Sequence, residues 1–209
     1  MRRSFSLDEL RPHLAAGGIG GTVVVQTVCL AEETPELLAL AEAAPEVAGV
    51  VGWVELCSTV GDASLVYDLI VLPHQLPAVV ETVAAMEAVS FVLDHGGKPP
   101  VASGAVSPWR EQVMALGRLP NVAVKLSGLV TEADVRSWTV GDLRPYVGTM
   151  LEAFGPERTT WGSDWPVCLL AASYEQWLSA AEELVSGLGT WEREAVFGGA
   201  ASRWYSLER

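Results

Sequence analysis

The residues able to do chemistry in this chain collect where apolar runs end. Gln26 closes GTVVVQT (21–27), Glu55 closes VAGVVGWVEL (47–56), and His74 follows VYDLIVL (66–72). Asp94 and His95 end SFVLDH (90–95), Lys125 and Ser127 lie at the end of NVAVKLS (121–127), and Asp164 ends RTTWGSD (158–164). A carboxylate, an imidazole and an ammonium brought to one place can move a proton and stabilise a developing charge. Asp164 stands out among them. It sits in TTWGSDWPVC (159–168), after two β-branched residues and a Trp, and is flanked by the indoles of Trp161 and Trp165. Gly162 frees the backbone there. Pro166 lacks an N–H and ends any strand ladder, so the carboxylate is set at a strand terminus.

Each group also has a structural role open to it. His74 can cap the helix that Pro73 opens. Asp94 is expected to accept hydrogen bonds from a turn at Gly96-Gly97 rather than to act in catalysis. His95 has the alternative of a satisfied core histidine, but its place at a strand end favours function. Lys125, inside an apolar strand, must snorkel or pair, because an unpaired buried charge is costly. His13 lies on a polar helix and reads as surface. Cys168 reads as a small buried apolar residue.

The elements that must position these groups are legible from periodicity. The six runs are nearly continuous in apolar and β-branched residues, as expected of strands buried on both faces. Helical patterns with proper ends lie between most of them. Ser6-Leu-Asp-Glu9 and Ser173-Tyr-Glu-Gln176 are capping-box matches, and Thr34-Pro35 and Ser107-Pro108 pair an N-cap with a first-turn proline. Gly17-Gly18, Gly155 and Gly187 are expected stops. The reading is one α/β domain, residues 1–209, with a mainly parallel sheet and polar groups at the carboxyl ends of the strands. Two features depart from a closed barrel. The chain opens on a helix. Only CSTVGDASL (57–65) separates the second run from the third, whereas a parallel crossover needs about a dozen residues or more. Those two strands are therefore either antiparallel or not neighbours in an ordinary right-handed unit.

Composition narrows the function. The 209 residues are 50% hydrophobic, ample for one core, and carry a formal net charge of −13, a poor match for nucleic acid or an anionic membrane. No apolar run approaches the ~18 residues of a membrane span, and MRRSFSLDEL has no apolar signal-peptide region. Three widely spaced cysteines, Cys29, Cys57 and Cys168, without a metal-binding spacing, read as reduced thiols in a cytoplasmic protein. No GxGxxG or GxxxxGK[ST] follows a strand, so a nucleotide-binding open sheet ranks last.

FVLDHGGKPP (91–100), NVAVKLSGLVTEAD (121–134) and TTWGSDWPVCLLAASY (159–174) together resemble the amidohydrolase-related family, and within it the sugar-lactone hydrolases. The similarity extends to GTVVVQT, AGVVGWVEL, LPHQLPAVV and VFGGAASRWYSL, so it spans nearly the whole chain. It implies a distorted TIM-like (β/α) barrel and hydrolysis of a cyclic ester, with a divalent metal in some members and none in others. Asp164 matches the family's water-activating carboxylate, His95 the histidine of its DHxGKP element, and His74 a histidine after the preceding strand. Three departures stand out. The family's first strand with its His-x-His is absent, a helix, a strand and an Arg-His element are replaced by CSTVGDASL, and Ala200 stands where the family has Asn.

The resulting expectation is an incomplete barrel of about six strands out of eight. In it Asp164 activates water against a sugar lactone and His95 stabilises the oxyanion, with Lys125 as a second candidate for that role. Trp161 and Trp165 wall the pocket, and Gln26, His74 and Lys125 contact a small-molecule substrate. His74, His95 and Asp164 are the metal candidates, giving no ion or a weakly held Zn or Mn. The rival is a catalytically inactive remnant serving as a binding or assembly module. Bare apolar strand edges predict a homodimer burying more than ~1,600 Å², with an interface near 21–27 and 47–72.

Overall fold

The computed structural model describes residues 3–27, 33–52 and 65–207. Within them the chain alternates as its pattern predicts. Helix α1 (Leu7–Ala16) is followed by β1 (Thr22–Val25), α2 (Glu33–Ala43) and β2 (Val47–Val51). Strand β3 (Val66–Leu69) leads through a short turn to α3 (Leu76–Ala85), β4 (Ser90–Leu93), α4 (Trp109–Gly117) and β5 (Val122–Leu126). A one-turn helix α5 (Leu129–Glu132), α6 (Val140–Phe154), β6 (Thr159–Trp161) and α7 (Tyr174–Leu184) follow, before a helical tail.

All described strand pairs are parallel. They form two sheets, β1-β2 and β3-β4-β5-β6. The break falls where the short connection predicted it. Strand β2 pairs with β1, β3 pairs with β4, and no pairing joins β2 to β3 among the described residues. Glu55, Cys57 and nearly all of the connecting segment lie outside the described residues. Consecutive strand order places every β4, β5 and β6 carboxyl end on one side of the sheet, which is where a site is expected.

The two sheets differ in burial. Phe91, Val92 and Leu93 of β4 and Val122, Ala123, Val124 and Leu126 of β5 are buried on both faces, and α4 and α6 cover them with Val113, Leu116, Tyr146 and Met150. All four residues of β1 are only part-buried. Helix α1 opens on its capping box and stops at Gly17, as its sequence predicts, and its buried Leu10 and Leu14 pack with Tyr174. Ser173 caps α7 by accepting from the Gln176 N–H, and α6 ends at Gly155, where φ is 67°. Helix α2 differs. It begins at Glu33, so Thr34 lies inside its first turn, and the Thr34 hydroxyl donates to the Gln26 side-chain carbonyl instead of capping.

The face opposite the site is tied by Arg158. Its guanidinium donates to the carbonyls of Leu119, Val122 and Gly117 at 2.8, 3.2 and 2.7 Å, at the amino ends of β5 and β6. Replacing it with Met leaves these carbonyls without a donor. Arg158→Met is expected to lower unfolding free energy by on the order of 2–4 kcal/mol, read from urea titration.

Candidate active site

Below the carboxyl ends of the strands lies a buried charge cluster. Lys125 on β5 donates to Asp68 on β3 at 2.7 Å and also meets Asp94, the residue after β4. The Tyr205 hydroxyl reaches Asp68 at 2.8 Å, across 137 residues of sequence. Burial opposes charge on Lys125, but Asp94 and Asp68 outweigh it and hold the ammonium protonated, well above the ordinary lysine range. Burial raises the Asp68 carboxyl, Lys125 pulls it down, and Asp94 adds to the rise. The expectation that Asp94 serves the Gly96-Gly97 turn is corrected: its carboxylate faces Lys125. The lysine in the apolar strand is paired, as its cost requires.

Next to this cluster stand His95 and Asp164. His95 Nε2 and Asp164 Oδ1 are 3.9 Å apart, with side chains 17% and 14% exposed. Both residues have left-handed backbones, with φ of 53° in each case. Such conformations are costly for non-glycine residues and concentrate at functional sites. Ser127 fixes the ring, with Oγ 2.8 Å from Nδ1. A hydroxyl donating to Nδ1 leaves the ring proton on Nε2, the nitrogen that faces Asp164. Gly128 is required beside it, because a Cβ there would lie 2.7 Å from Nδ1. Burial pushes the Asp164 carboxyl up to about 6, Lys98 opposes this, and Asp94 adds to it. Burial, Lys98 and then Lys125 push His95 down to about 4. At neutral pH the pair is therefore a carboxylate and a neutral imidazole.

These groups open into a hollow of about 1590 Å³ that reaches from the end of β6 to β1 and α1. Asp164, His95, Lys125, Trp161, Trp165 and Gln26 all line it. Trp161 stacks edge-on to Tyr174 at 6.0 Å, and Phe5 meets Trp165 edge-on at 5.4 Å. Among the described residues the buried indole N–H groups of Trp161 and Trp165 have no hydrogen-bond partner. His74 is placed elsewhere, exposed in the turn Pro73–Gln75 and not part of the lining. A second depression, of about 620 Å³ beside Arg136, Trp138 and Glu183, holds no comparable acid–base pair.

Sequence reasoning passed over Asp68, Tyr205, Lys98 and Glu132. Lys98 lines the same hollow and donates to Glu132 of α5 at 2.7 Å. Asp68 carried a usable signal. A carboxylate inside VYDLIVL poses the same problem as the ammonium inside NVAVKLS, and each answers the other.

The described residues do not make a metal centre. A catalytic zinc needs three protein ligands. Here His95 and Asp164 supply two, His74 stands outside the hollow, and no group of three His, Cys, Asp or Glu side chains converges among the described residues.

An α/β barrel-type sheet with an acidic residue after its last strand and a histidine after β4 defines a class, and residues 55–207 match the amidohydrolase family. The chain belongs to that family. It is 36% identical to L-fucono-1,5-lactonase from Burkholderia multivorans, over 99% of this chain and 88% of that protein. The alignment runs over 259 positions against the 209 residues present here, so at least 50 residues of the relative have no counterpart in this chain. The crystal structure of an amidohydrolase from Burkholderia multivorans with bound Zn superposes with a TM-score of 0.93 at 35% identity, covering 99% of this chain and 90% of that one. A putative 2-pyrone-4,6-dicarboxylic acid hydrolase from Pseudomonas putida shares the fold, with a TM-score of 0.82 at 20% identity over 100% of this chain and 90% of its own.

The charge cluster yields a test of its own. Lys125→Met leaves two buried carboxylates facing each other, and should cost about 3–5 kcal/mol in chemical denaturation. Adding Asp68→Asn to Lys125→Met should restore part of that loss. Recovery in the double variant distinguishes charge imbalance from lost packing.

Proposed function

We propose that this chain is a sugar-lactone hydrolase in which Asp164 is the general base. The observation that carries the reading is the Asp164–His95 pair, 3.9 Å apart, in which the usual order of affinity for a proton is reversed: the carboxyl is raised to about 6 and the imidazole lowered to about 4. The relatives named as L-fucono-1,5-lactonases support the substrate class. Asp164 takes a proton from water while the water oxygen bonds to the lactone carbonyl carbon. The carbonyl electron pair moves onto its oxygen, near the His95 Nε2–H. When the tetrahedral species collapses, the ring C–O bond breaks and the leaving oxygen takes the proton back from Asp164. One water is consumed and one hydroxy acid forms. A carboxyl near 6 suits both proton transfers at neutral pH. The indole walls and their unpaired N–H groups suit a hydroxylated ring, since an unmet buried donor costs about 1–3 kcal/mol.

The pH dependence has a definite sign. The base form of Asp164 is the active one, so kcat/KM for L-fucono-1,5-lactone should rise about tenfold per pH unit below 6 and level off above it. His95 stays neutral above its own value of about 4 and adds no limb there. Stability runs the other way. With its folded pKa raised above the unfolded value, Asp164 contributes stability below about 4 that is lost as pH rises through about 6. Asp164→Asn should therefore cut turnover by on the order of 10²–10⁴-fold. It should also stabilise the fold at pH 8 by about 1–3 kcal/mol. A variant that is both inactive and more stable identifies a base kept at the expense of stability; unchanged turnover would remove Asp164 from the mechanism.

The same proposal includes turnover without a tightly held metal, supported by the two-donor set. Dialysis against a chelator should leave kcat unchanged, and a loss restored by Zn²⁺ or Mn²⁺ would sink this part. It also includes one barrel domain in a cytoplasmic homodimer. Leu65, Ile70 and Leu72 beside β3 are 55%, 56% and 48% exposed, an apolar edge that a second copy would cover. Light scattering from dilute protein tests it, and a monomer refutes it.

A further inference from the structure

The hollow contains two ammonium groups, and they are not equivalent. Lys125 is 12% exposed and meets two carboxylates that are 3% and 2% exposed. Turning it toward a ligand would strip Asp68 and Asp94 of their counter-ion, at a cost of several kcal/mol. Its charge is committed. Lys98 is 27% exposed, and its partner Glu132 is equally open at 26%. An ammonium has three donors, and the contact with Glu132 uses one. The pair is part-buried, so its release costs less than parting Lys125 from its two buried carboxylates.

Lys98 is also the cation tied most closely to the acid–base pair. His95, Gly96, Gly97 and Lys98 form a run of left-handed residues with φ of 53°, 58°, 70° and 52°. The run closes when the Lys98 N–H donates to the His95 carbonyl at 2.9 Å. The geometry that aims the imidazole therefore also sets the start of the Lys98 side chain. Two non-glycine residues in this region each cost about 1–2 kcal/mol, a strain that packing must hold in place. Trp109 does so by donating to the Gly96 carbonyl at 2.7 Å, and the Met150 side chain fills the space a Gly96 Cβ would need. The Lys98 charge acts on both Asp164 and His95 more strongly than that of Lys125 does.

We propose that Lys98 is a further catalytic residue: it meets the carbonyl oxygen as it becomes an oxyanion, and then the carboxylate of the opened acid, while Glu132 holds it within reach. This rests on the reading of the site as a lactone hydrolase. The water oxygen bonds to the carbonyl carbon, the displaced electron pair comes to rest on the oxygen facing Lys98, and the ring C–O bond then takes its electrons to the leaving oxygen, which Asp164 protonates. Lys98 neither gains nor loses a proton. The same ammonium interacts weakly with a neutral lactone carbonyl and strongly with the anion that develops on its oxygen. That difference favours the transition state over the ground state.

The test uses Lys98→Met, Lys98→Arg and Glu132→Gln with two readouts. The first is kcat for L-fucono-1,5-lactone on the high-pH plateau, where Asp164 is ionised in every variant. The second is calorimetric affinity for the aldonate obtained by opening that lactone. Lys98→Met should lower plateau kcat on the order of 10²-fold, with KM little changed, and weaken the aldonate at least about tenfold. Lys98→Arg should regain most of the aldonate affinity, and Glu132→Gln should tighten it. If Lys98→Met keeps both its plateau kcat and its aldonate affinity, with only the acid limb displaced, Lys98 acts solely through its field on Asp164 and the proposal fails. A wild-type chain that binds the aldonate through Lys98 but hydrolyses no lactone would retain the ligand assignment and reject the hydrolase reading. Absence of both activity and binding overturns the two together.

Discussion

The structure depends on one ammonium placed between two buried carboxylates. Asp68, Asp94 and Lys125 come from three adjacent strands or their ends, and the contacts at 2.7 Å and shorter fix β3, β4 and β5 relative to one another below the site. A barrel interior is normally filled by apolar layers. Here one layer holds two carboxylates that share one ammonium. The Tyr205 hydroxyl supplies the additional donor and in doing so pins the C-terminal tail to β3. A buried ion pair is weak evidence for stability in itself, but breaking it from one side is expensive. The cluster thus acts as a constraint. Once formed, it holds Lys125 on Asp68 and Asp94, and the field at Asp164 is set first by burial, then by Lys98, Asp94 and Lys125.

A second constraint is the left-handed backbone at the site. His95, Lys98 and Asp164 all have positive φ without being glycine. None of these conformations is cheap, and each aims a polar side chain into the hollow where a regular strand or helix would have turned it away. The packing that holds them lies in the most deeply buried part of the chain: Met150 against Gly96, Leu76 against Gly97, and His95 against Gly128. Strain at the site and burial behind it are the two sides of one arrangement.

How much of this was legible follows from what each residue's neighbours in sequence reveal. Strands β4 and β5 were readable because burial on both faces writes a continuous apolar run, and β6 because two β-branched threonines and a Trp precede Gly162. The placing of His95 and Asp164 followed from the rule for strand ends. Lys125 announced that it needed a partner but not which one, since Asp68 lies 57 residues away and Tyr205 meets Asp68 across 137. Asp94 was misread because a turn of two glycines follows it at once, and a local partner hid the distant one. His74 satisfied the strand-end rule in sequence, yet the turn Pro73–Gln75 carries it to the surface. Lys98 was hidden by its backbone: no spacing rule foresees that three left-handed residues bring a lysine past a histidine.

The break between the two sheets divides the site's labour. Asp68, Asp94, His95, Lys98, Lys125, Ser127 and Asp164 stand on β3 to β6 or just after them, where β4 and β5 are buried on both faces. The opposite wall comes from β1 and the residue after it, with Val23 to Gln26, and from α1 and the segment before it, with Phe5, Leu7 and Leu10. That half is part-buried and rests on the small cluster of Leu10, Leu14 and Tyr174. In sequence only CSTVGDASL separates the runs on the two sides of the break, and the relative carries at least 50 residues more somewhere in the matched span. Because the acid–base pair, its ring-fixing Ser127 and the ion cluster make no use of β1 or β2, shortening that connection can alter the wall against which a sugar ring rests without displacing the reacting groups. A change in which lactone fits is therefore mechanically easier here than a change in how it is opened.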